Sequence, residues 1–344
     1  MFEDDLLAWH DRSKRELPWC GESDPYRIWI SEIMLQQTRT ETVGGYYKRF
    51  LERFPTVHAL PEASEEALFK MWEGLGYYSR ARNLHKAAKK ISGELGGKLP
   101  DTAEGLRALP GIGDYTAGAI ASIAFGRREL AMDGNVVRVL SRVLCEQGCV
   151  AEAAVRRRLK EGGSALMSDR RPGDFNQALM GLGNMICVPA RPRCAECPVR
   201  AYCRAGREGV QASLPVLPAK PEKKSVPAGV ALVMHRGRVL LVRRADKGLL
   251  AGLWAFPVFE GAQTEADVRE ALGEMGISVG QGRRLSEAQH VFTHRIWKMR
   301  GWLFEAERLP DDACMVDRAG LDAAALPTAL KVYRQIAEEI LEET

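Results

Sequence analysis

Apolar residues recur at three- and four-residue spacing over 65–71, 80–91, 116–124 and 134–144, which predicts amphipathic helices there. Short breaks punctuate the pattern: Leu60-Pro61, Leu99-Pro100-Asp101, Leu109-Pro110-Gly111 and Arg171-Pro172-Gly173. Asp101 and Asp114 stand where N-caps are expected. Between 205 and 227 the texture changes. Pro215, Pro218, Pro221 and Pro227 interleave with Lys220, Lys223 and Lys224, as in an extended linker. Beyond it, β-rich runs at 229–234 and 238–243 flank His235-Arg236-Gly237 and predict a hairpin. Further strands at 289–294 and 297–305, with helices at 264–275 and 329–342, complete a small α+β domain. The expected organisation is an all-α domain over 1–205, a linker over 206–227 and an α+β domain over 228–344. No internal repeat is visible.

The chain has 344 residues, 46% hydrophobic and 27% charged, enough for two domains with a substantial core. No run approaches the roughly 18 consecutive apolar residues of a membrane span, so no membrane partner is expected. Residues 1–17 begin acidic and lack an apolar h-region, so no secretory signal is expected. Cys20, Cys145, Cys149 and Cys314 form no framework, which points to a reducing cytoplasm. The net charge of +4 is uneven: residues 1–230 hold 34 Lys+Arg against 28 Asp+Glu, and residues 231–344 hold 15 against 17. This permits a polyanionic partner for the first part without requiring one.

Four other cysteines change the picture. Cys187, Cys194, Cys197 and Cys203 are separated by six, two and five residues, close enough for one metal centre to gather four thiolates. A zinc ribbon usually has two Cys-x-x-Cys knuckles, and only Cys194-x-x-Cys197 qualifies. The wider outer loops suit an iron–sulfur cubane better, with zinc, disulfides or unligated thiols as alternatives. Arg191, Arg193, Arg200, Arg204 and Arg207 decorate this loop, a set able to contact phosphates.

Two motifs upstream could carry chemistry. Leu109-Pro110-Gly111-Ile112-Gly113-Asp114-Tyr115-Thr116-Ala117 joins two helices by a glycine turn that could bind a phosphate through backbone N–H groups, or simply connect helices. Met132-Asp133-Gly134-Asn135-Val136-Val137-Arg138 places one carboxylate at a helix start, where a plain N-cap is the common reading.

Together, the Leu-Pro-Gly-x-Gly hairpin, the Asp some twenty residues on and the cysteine spacing resemble the helix–hairpin–helix DNA glycosylase superfamily. Within it, Ser31-Glu32-Ile33-Met34-Leu35-Gln36-Gln37-Thr38, Gly74-Leu75-Gly76-Tyr77-Tyr78 and the Asp133 motif resemble MutY-type adenine DNA glycosylases. That resemblance implies two helical lobes, one bearing a [4Fe–4S] cluster on the loop 187–203, with duplex DNA across the cleft. The implied substrate is an 8-oxoguanine:adenine mispair, from which adenine is flipped out and hydrolysed away. Glu32 matches the acid that protonates the departing base, and its apolar setting over 28–35 predicts a raised pKa. Asp133, helped by Asn135, matches the carboxylate that stabilises the sugar cation. Tyr115 stands where strand-cleaving relatives carry a lysine. A phenol cannot form their Schiff base, so a monofunctional enzyme that leaves an abasic site is expected. Gln37 and Tyr77 match residues entering the base stack, Gly111 and Gly113 the DNA-binding hairpin, and Trp19 and Gln177 the adenine pocket. Trp72 and Tyr78 read as core aromatics. Cys20 departs from the longer polar or basic residue common after Leu-Pro-Trp, which puts contact with adenine from that position in doubt.

The second domain resembles the Nudix fold with its metal site gone. Over Arg269-Glu270-Ala271-Leu272-Gly273-Glu274-Met275-Gly276-Ile277 one signature glutamate is Gly273, and the upstream acid position is Gly261. Too few carboxylates remain to hold magnesium. The family counterpart reads 8-oxoguanine with a Phe-Ser-His turn; here the turn is Phe292-Thr293-His294, with the hydroxyl kept and a methyl added. The competing readings are a thymine- or pyrimidine-acting relative, a non-enzymatic lesion binder and a Nudix hydrolase. The attached domain opposes the first, Glu32 with Asp133 the second, and Gly261 with Gly273 the third. A monomer on the nucleoid, with repair or replication proteins docking on the linker, completes the expectation.

Overall fold

The computed structural model describes residues 1–13, 16–167, 169–219 and 221–343. Its contacts divide the chain into two compact units: Met1–Ala63 with Ser79–Ala219, and Ser64–Tyr78 with Lys220–Thr344. Among the described residues no helix is long and apolar enough to cross a membrane.

The helices, in chain order, are α1 (Phe2–Ser13), α2 (Pro25–Leu35), α3 (Thr40–Arg53), α4 (Glu65–Trp72), α5 (Ser79–Glu94), α6 (Ala103–Arg107) and α7 (Asp114–Phe125). They continue with α8 (Gly134–Val143), α9 (Ala153–Ala165), α10 (Pro172–Met185), α11 (Arg204–Glu208), α12 (Glu265–Glu274), α13 (Arg318–Ala323) and α14 (Lys331–Glu342). In the first unit α2 packs on α3, α5 and α7, while α10 packs on α1, α8 and α7. The second group closes over Phe2, Leu6, Val136, Leu140, Phe175 and Leu179, with Cys187 and Cys197 packed against that core. Each fully buried aliphatic side chain there contributes about 1.5–3 kcal/mol.

Capping differs from the sequence expectation in two places. Thr102, not Asp101, caps α6 by accepting from Gly105 N–H, because Asp101 is drawn away to the Arg127 guanidinium. Gly113 caps α7, and Asp114 is its first helical residue, 3.6 Å from Arg107. Acidic charge remains favourable in that first turn.

The stretch expected as linker is only partly extended. It opens with α11, and Val150 N–H donates to Val216 O at 3.0 Å, so this stretch pairs with the first unit. Its last four residues already belong to a strand; Lys220 lies outside the described residues.

The strands are β1 (Lys224–His235), β2 (Arg238–Arg243), β3 (Trp254–Ala255), β4 (Val258–Glu260), β5 (Ser278–Val279), β6 (Arg283–Arg284), β7 (Ala288–Val291), β8 (Arg295–Arg308) and β9 (Cys314–Val316). The sheet runs β3-β2-β1-β8-β5, with β1 and β8 parallel at its centre and the other pairs antiparallel. β1 and β2 meet at Arg236 and Gly237, both at positive φ, the geometry of a two-residue hairpin turn. One face buries Trp297 and Tyr333, and the other Phe304 with Val268 and Leu272 of α12. The segment Ser64–Tyr78 docks on this unit through polar contacts: Glu73 accepts from Arg334 Nη1 at 2.5 Å and Leu326 N–H at 3.3 Å, and Arg243 pairs with Glu65 at 3.4 Å. Trp72 and Tyr78 are buried in it.

Candidate active site

Glu32 sits on α2 with only 6% of its surface exposed, since its neighbours Ile28, Trp29, Ile30, Ile33 and Met34 are core residues. Burial pushes its carboxyl up from 4.5 to about 7. The nearby Asp133 charge adds to the rise, and the Tyr115 hydroxyl, donating to Oε2 at 2.7 Å, opposes it. Tyr115 is held well above its ordinary value by burial and by the Glu32 charge, so it remains a donor. Its oxygen also lies 3.7 Å from the Met180 sulfur of α10. Gln177 is half-buried one turn before Met180, on the same helix face.

Asp133 is the N-cap of α8 and more. Its Oδ1 accepts from Val136 N–H at 2.7 Å, and its Oδ2 accepts from Asn135 Nδ2 at 2.7 Å. Asn135 Oδ1 in turn accepts from Arg138 Nη2 at 2.9 Å, and Arg138 Nε donates to Cys187 O at 2.8 Å. One hydrogen-bonded path therefore runs from the Asp133 carboxylate to the backbone of the first loop cysteine. Gly183 makes this possible: a Cβ there would come within 2.6 Å of Asn135 Cβ.

The Trp19 ring packs edge-on against Tyr47, with centroids 5.7 Å apart. Cys20 beside it is exposed. In the hairpin, Gly111 has φ +79°, and a Cβ would stand 2.7 Å from Asn83 Cβ, so the turn needs glycine twice over.

The four loop cysteines line one cavity of about 170 Å³ with Arg142, Gly206 and Gln211. That exceeds about 150 Å³, the size that accommodates a benzene-sized guest, and is far larger than a single ion needs. Among the described residues no three metal-ligating side chains are drawn together as for one ion. Arg142, 2% exposed, donates to Cys187 Sγ at 3.2 Å and to the carbonyls of Val188, Pro189 and Leu214. Gly206 N–H points at Cys203 Sγ at 3.4 Å. Burial pushes the Cys197 thiol up to about 11 and raises Cys203, so both ionise readily only when a cation is supplied. A polynuclear cluster fits this donor set and this space. Arg191, Arg193, Arg200, Arg204 and Arg207 are exposed around it, with Arg193 turned back onto Met185 O and Glu196.

In the second unit the turn Phe292-Thr293-His294 joins β7 to β8. Phe292 is half-buried between His290 and Trp297, with ring centroids at 4.6 and 5.0 Å, both edge-to-face. Its carbonyl accepts from Lys223 Nζ at 2.9 Å, and His294 O accepts from Lys224 N–H at 3.3 Å. Thr293 and His294 are exposed, and the Thr293 hydroxyl lies 3.2 Å from the Tyr77 hydroxyl. Tyr77 is 47% exposed with φ +49°, and Gln37 has φ +57°. Such backbone in non-glycine residues costs about 1–2 kcal/mol each and clusters at functional sites. Gly261 has φ +97° and, like Gly273, meets no atom within 4 Å of a notional Cβ, so neither former acid position is filled by packing.

Sequence reasoning did not single out Arg138, Arg142 or Met180. For Arg138 the signal was present, since Asn135 and Arg138 are three apart on a helix. Arg142 and Met180 act through contacts 45 or more residues away in sequence, as with Arg142 to Cys187 and Tyr115 to Met180.

Comparison with known proteins agrees with this layout. Residues 30–164 match the family described as HhH-GPD superfamily base excision DNA repair protein, and residues 229–335 match a NUDIX domain. A solved thermostable thymine-DNA glycosylase superposes with a TM-score of 0.55 at 27% identity, covering 60% of this chain and 95% of its own. A non-covalent endonuclease III–DNA complex superposes at 0.52 and 24% identity over 61% and 95%, a likeness of fold alone. A helical base-excision fold carrying this buried acid, with a Nudix-like unit attached, defines a DNA glycosylase.

The adenine DNA glycosylase of Homo sapiens is 36% identical over 400 residues, covering 97% of this chain and 73% of the relative. That of Mus musculus is 39% identical over 351 residues, covering 85% and 68%. The chain belongs to the MutY-type adenine DNA glycosylase family.

Proposed function

We propose that this adenine DNA glycosylase removes adenine mispaired with 8-oxoguanine, and with guanine, from duplex DNA by hydrolysis without strand cleavage. The observation that carries the reading is Glu32: a carboxyl buried to a pKa of about 7, held by Tyr115 and next to Asp133. A carboxyl raised this far by burial keeps a proton to give near neutral pH, as a general acid requires. Glu32 gives its proton to the departing adenine. Asp133, oriented by Val136 N–H and Asn135, faces the developing sugar cation. Burial suits the Glu32 carboxyl to the role of proton donor, while the bonds from Val136 N–H and Asn135 orient the Asp133 carboxylate for the other role. Tyr115 has no amine to attack the sugar, so the product is an abasic site. Gln37 and Tyr77 enter the base stack, Gly111 and Gly113 bind the backbone, and Trp19 and Gln177 line the adenine pocket.

Phe292, Thr293 and His294 read the 8-oxoguanine, and the unit that carries them binds without hydrolysing. Cys187, Cys194, Cys197 and Cys203 hold a [4Fe–4S] cluster. When bound, it supplies a rigid pin for the loop and no bond to the reaction; Arg142 and Gly206 N–H stabilise its thiolates.

A duplex with one 8-oxoguanine:adenine pair, treated with alkali after incubation, tests the chemistry. The adenine strand should break only after alkali, and Glu32→Gln should prevent it; an intact strand with the unaltered protein rejects the reading. A borohydride-trapped protein–DNA adduct in stoichiometric yield would contradict the monofunctional scheme. Anaerobically purified protein should hold about four irons per chain, and stoichiometric zinc would overturn the cluster.

A further inference from the structure

Arg80, the second residue of α5, is 8% exposed, and its guanidinium reaches one short piece of chain at four acceptors. Nη1 donates to the carbonyls of Ile33 at 2.9 Å, Met34 at 2.8 Å and Gln36 at 2.6 Å, and Nη2 donates to Thr38 Oγ1 at 3.0 Å. These carbonyls lie at the C-terminal end of α2, where acceptors lack helical partners and a cation suits the helix dipole. The next residue outward is Gln37, held at φ +57°. A glutamine has no intrinsic preference for that backbone, so its two flanks must be fixed by something else. On one side Arg80 holds Gln36 O, while Gln36 Nε2 donates to Thr116 Oγ1 at 3.0 Å. On the other side Arg80 holds the Thr38 hydroxyl.

We propose that Arg80 is a positioning residue that presents Gln37 to the base stack and locks that presentation to the helical turn carrying Glu32. The inference rests on the reading of Gln37 as a stack-entering residue. The grip on Ile33 and Met34 reaches the residues directly after Glu32, so a shift of the Gln37 loop is transmitted to the acid. The planar fork is essential: a lysine ammonium is a point charge that cannot reach this fan of four acceptors together.

The test uses the full chain with its cluster and a duplex bearing 8-oxoguanine opposite a 2′-fluoro adenosine, which binds but resists hydrolysis. Dissociation constants, and fluorescence of a 2-aminopurine beside the lesion as a report of unstacking, are measured for Arg80→Lys, Gln37→Ala and the double variant. Thermal unfolding confirms that each is folded. Arg80→Lys should weaken binding and reduce unstacking by about tenfold, and the double variant should be no worse than the poorer single one, the non-additivity of groups acting as a unit. If Gln37→Ala weakens binding and Arg80→Lys does not, or if the two losses multiply, Arg80 does not act through Gln37. If Gln37→Ala changes nothing, the reading of Gln37 itself fails, and the inference with it. Should Arg80→Lys not fold, Thr38→Val removes the Nη2 acceptor together with the long 3.5 Å bond from the Thr38 hydroxyl to Gln36 O; it should weaken binding severalfold and be likewise non-additive with Gln37→Ala, and unchanged binding would overturn the proposal.

Discussion

Replacing Glu32 by Gln separates what the acid does for catalysis from what it does to the fold. In the unfolded chain the carboxyl titrates near its ordinary 4.5; in the folded protein burial moves it to about 7. Below the lower value both states are protonated and the group contributes nothing. Between the two values the unfolded chain releases its proton while the folded one keeps it. Stability therefore falls by about 1.4 kcal/mol per pH unit as pH rises. Above about 7 the folded carboxyl ionises as well, and the deficit levels off at about 3 kcal/mol. Glutamine keeps the shape and does not titrate. Glu32→Gln should thus exceed the unaltered protein by less than about 1 kcal/mol near pH 5 and by about 3 kcal/mol at pH 8. Urea midpoints at both pH values, at constant ionic strength, measure the difference. The same substitution should cost at least about 100-fold in adenine removal, the scale of a lost general acid. In the unaltered enzyme the single-turnover rate at sub-saturating protein should fall through a midpoint near pH 7 as Glu32 loses its proton. A stability gain of equal size at pH 5 and pH 8 would refute the argument, because it would trace the effect to packing instead of ionisation.

Other outcomes follow from the same geometry. Tyr115→Phe removes the donor that holds the Glu32 carboxylate, worth about 1.5–3 kcal/mol as a charge-assisted bond, so the alkaline limb of the rate profile should move up by about one to two pH units; an unmoved midpoint would show that the phenol does not act on the acid. Arg142→Met leaves the buried Leu214 carbonyl unpaired and takes the shared donor from Val188 and Pro189, and should destabilise the loop by about 1–3 kcal/mol. Loss of the proposed iron–sulfur cluster on warming, followed by visible absorbance, should then precede the unfolding of the helices, and retention up to the unaltered protein's melting temperature would count against it. Thr293→Ala and Phe292→Ala should lower the preference for 8-oxoguanine over guanine opposite adenine more than they slow removal itself. Equal losses on both substrates would speak against a reading role.

Much of the site was legible because its chemistry is local. Asp133 before an apolar-periodic segment is an N-cap whatever else it does, whereas a lone Glu on a helix is by default a surface carboxylate, and only the motif around Glu32 together with the apolar run 28–35 points to a buried one. The linker was less legible: proline and lysine spell extension, yet Val216 bonds Val150 and β1 already begins at Lys224. Asp101 and Asp114 misled for a related reason. Both are good caps by type, but Thr102 competes at one end, Arg127 recruits Asp101, and the glycine turn places Gly113 where a cap belongs.

The glycosylase and Nudix resemblances pointed to the acid and to the missing Nudix carboxylates, while residue type and short-range spacing by themselves pointed to the helical first part, the β1–β2 hairpin, the capping carboxylate and the cysteine set. Those properties depend on periods of two to four residues and on which atoms a side chain carries. Tertiary structure alone decided that Tyr115 faces Glu32 across 83 residues, that Asn135 and Arg138 link Asp133 to Cys187, and that Arg80 grips both sides of Gln37. It also decided that Ser64–Tyr78 folds with the C-terminal unit. The amphipathic pattern of 65–72 says that one face is hidden and not what covers it, because apolar burial is non-directional and only packing and polar pairing choose the partner.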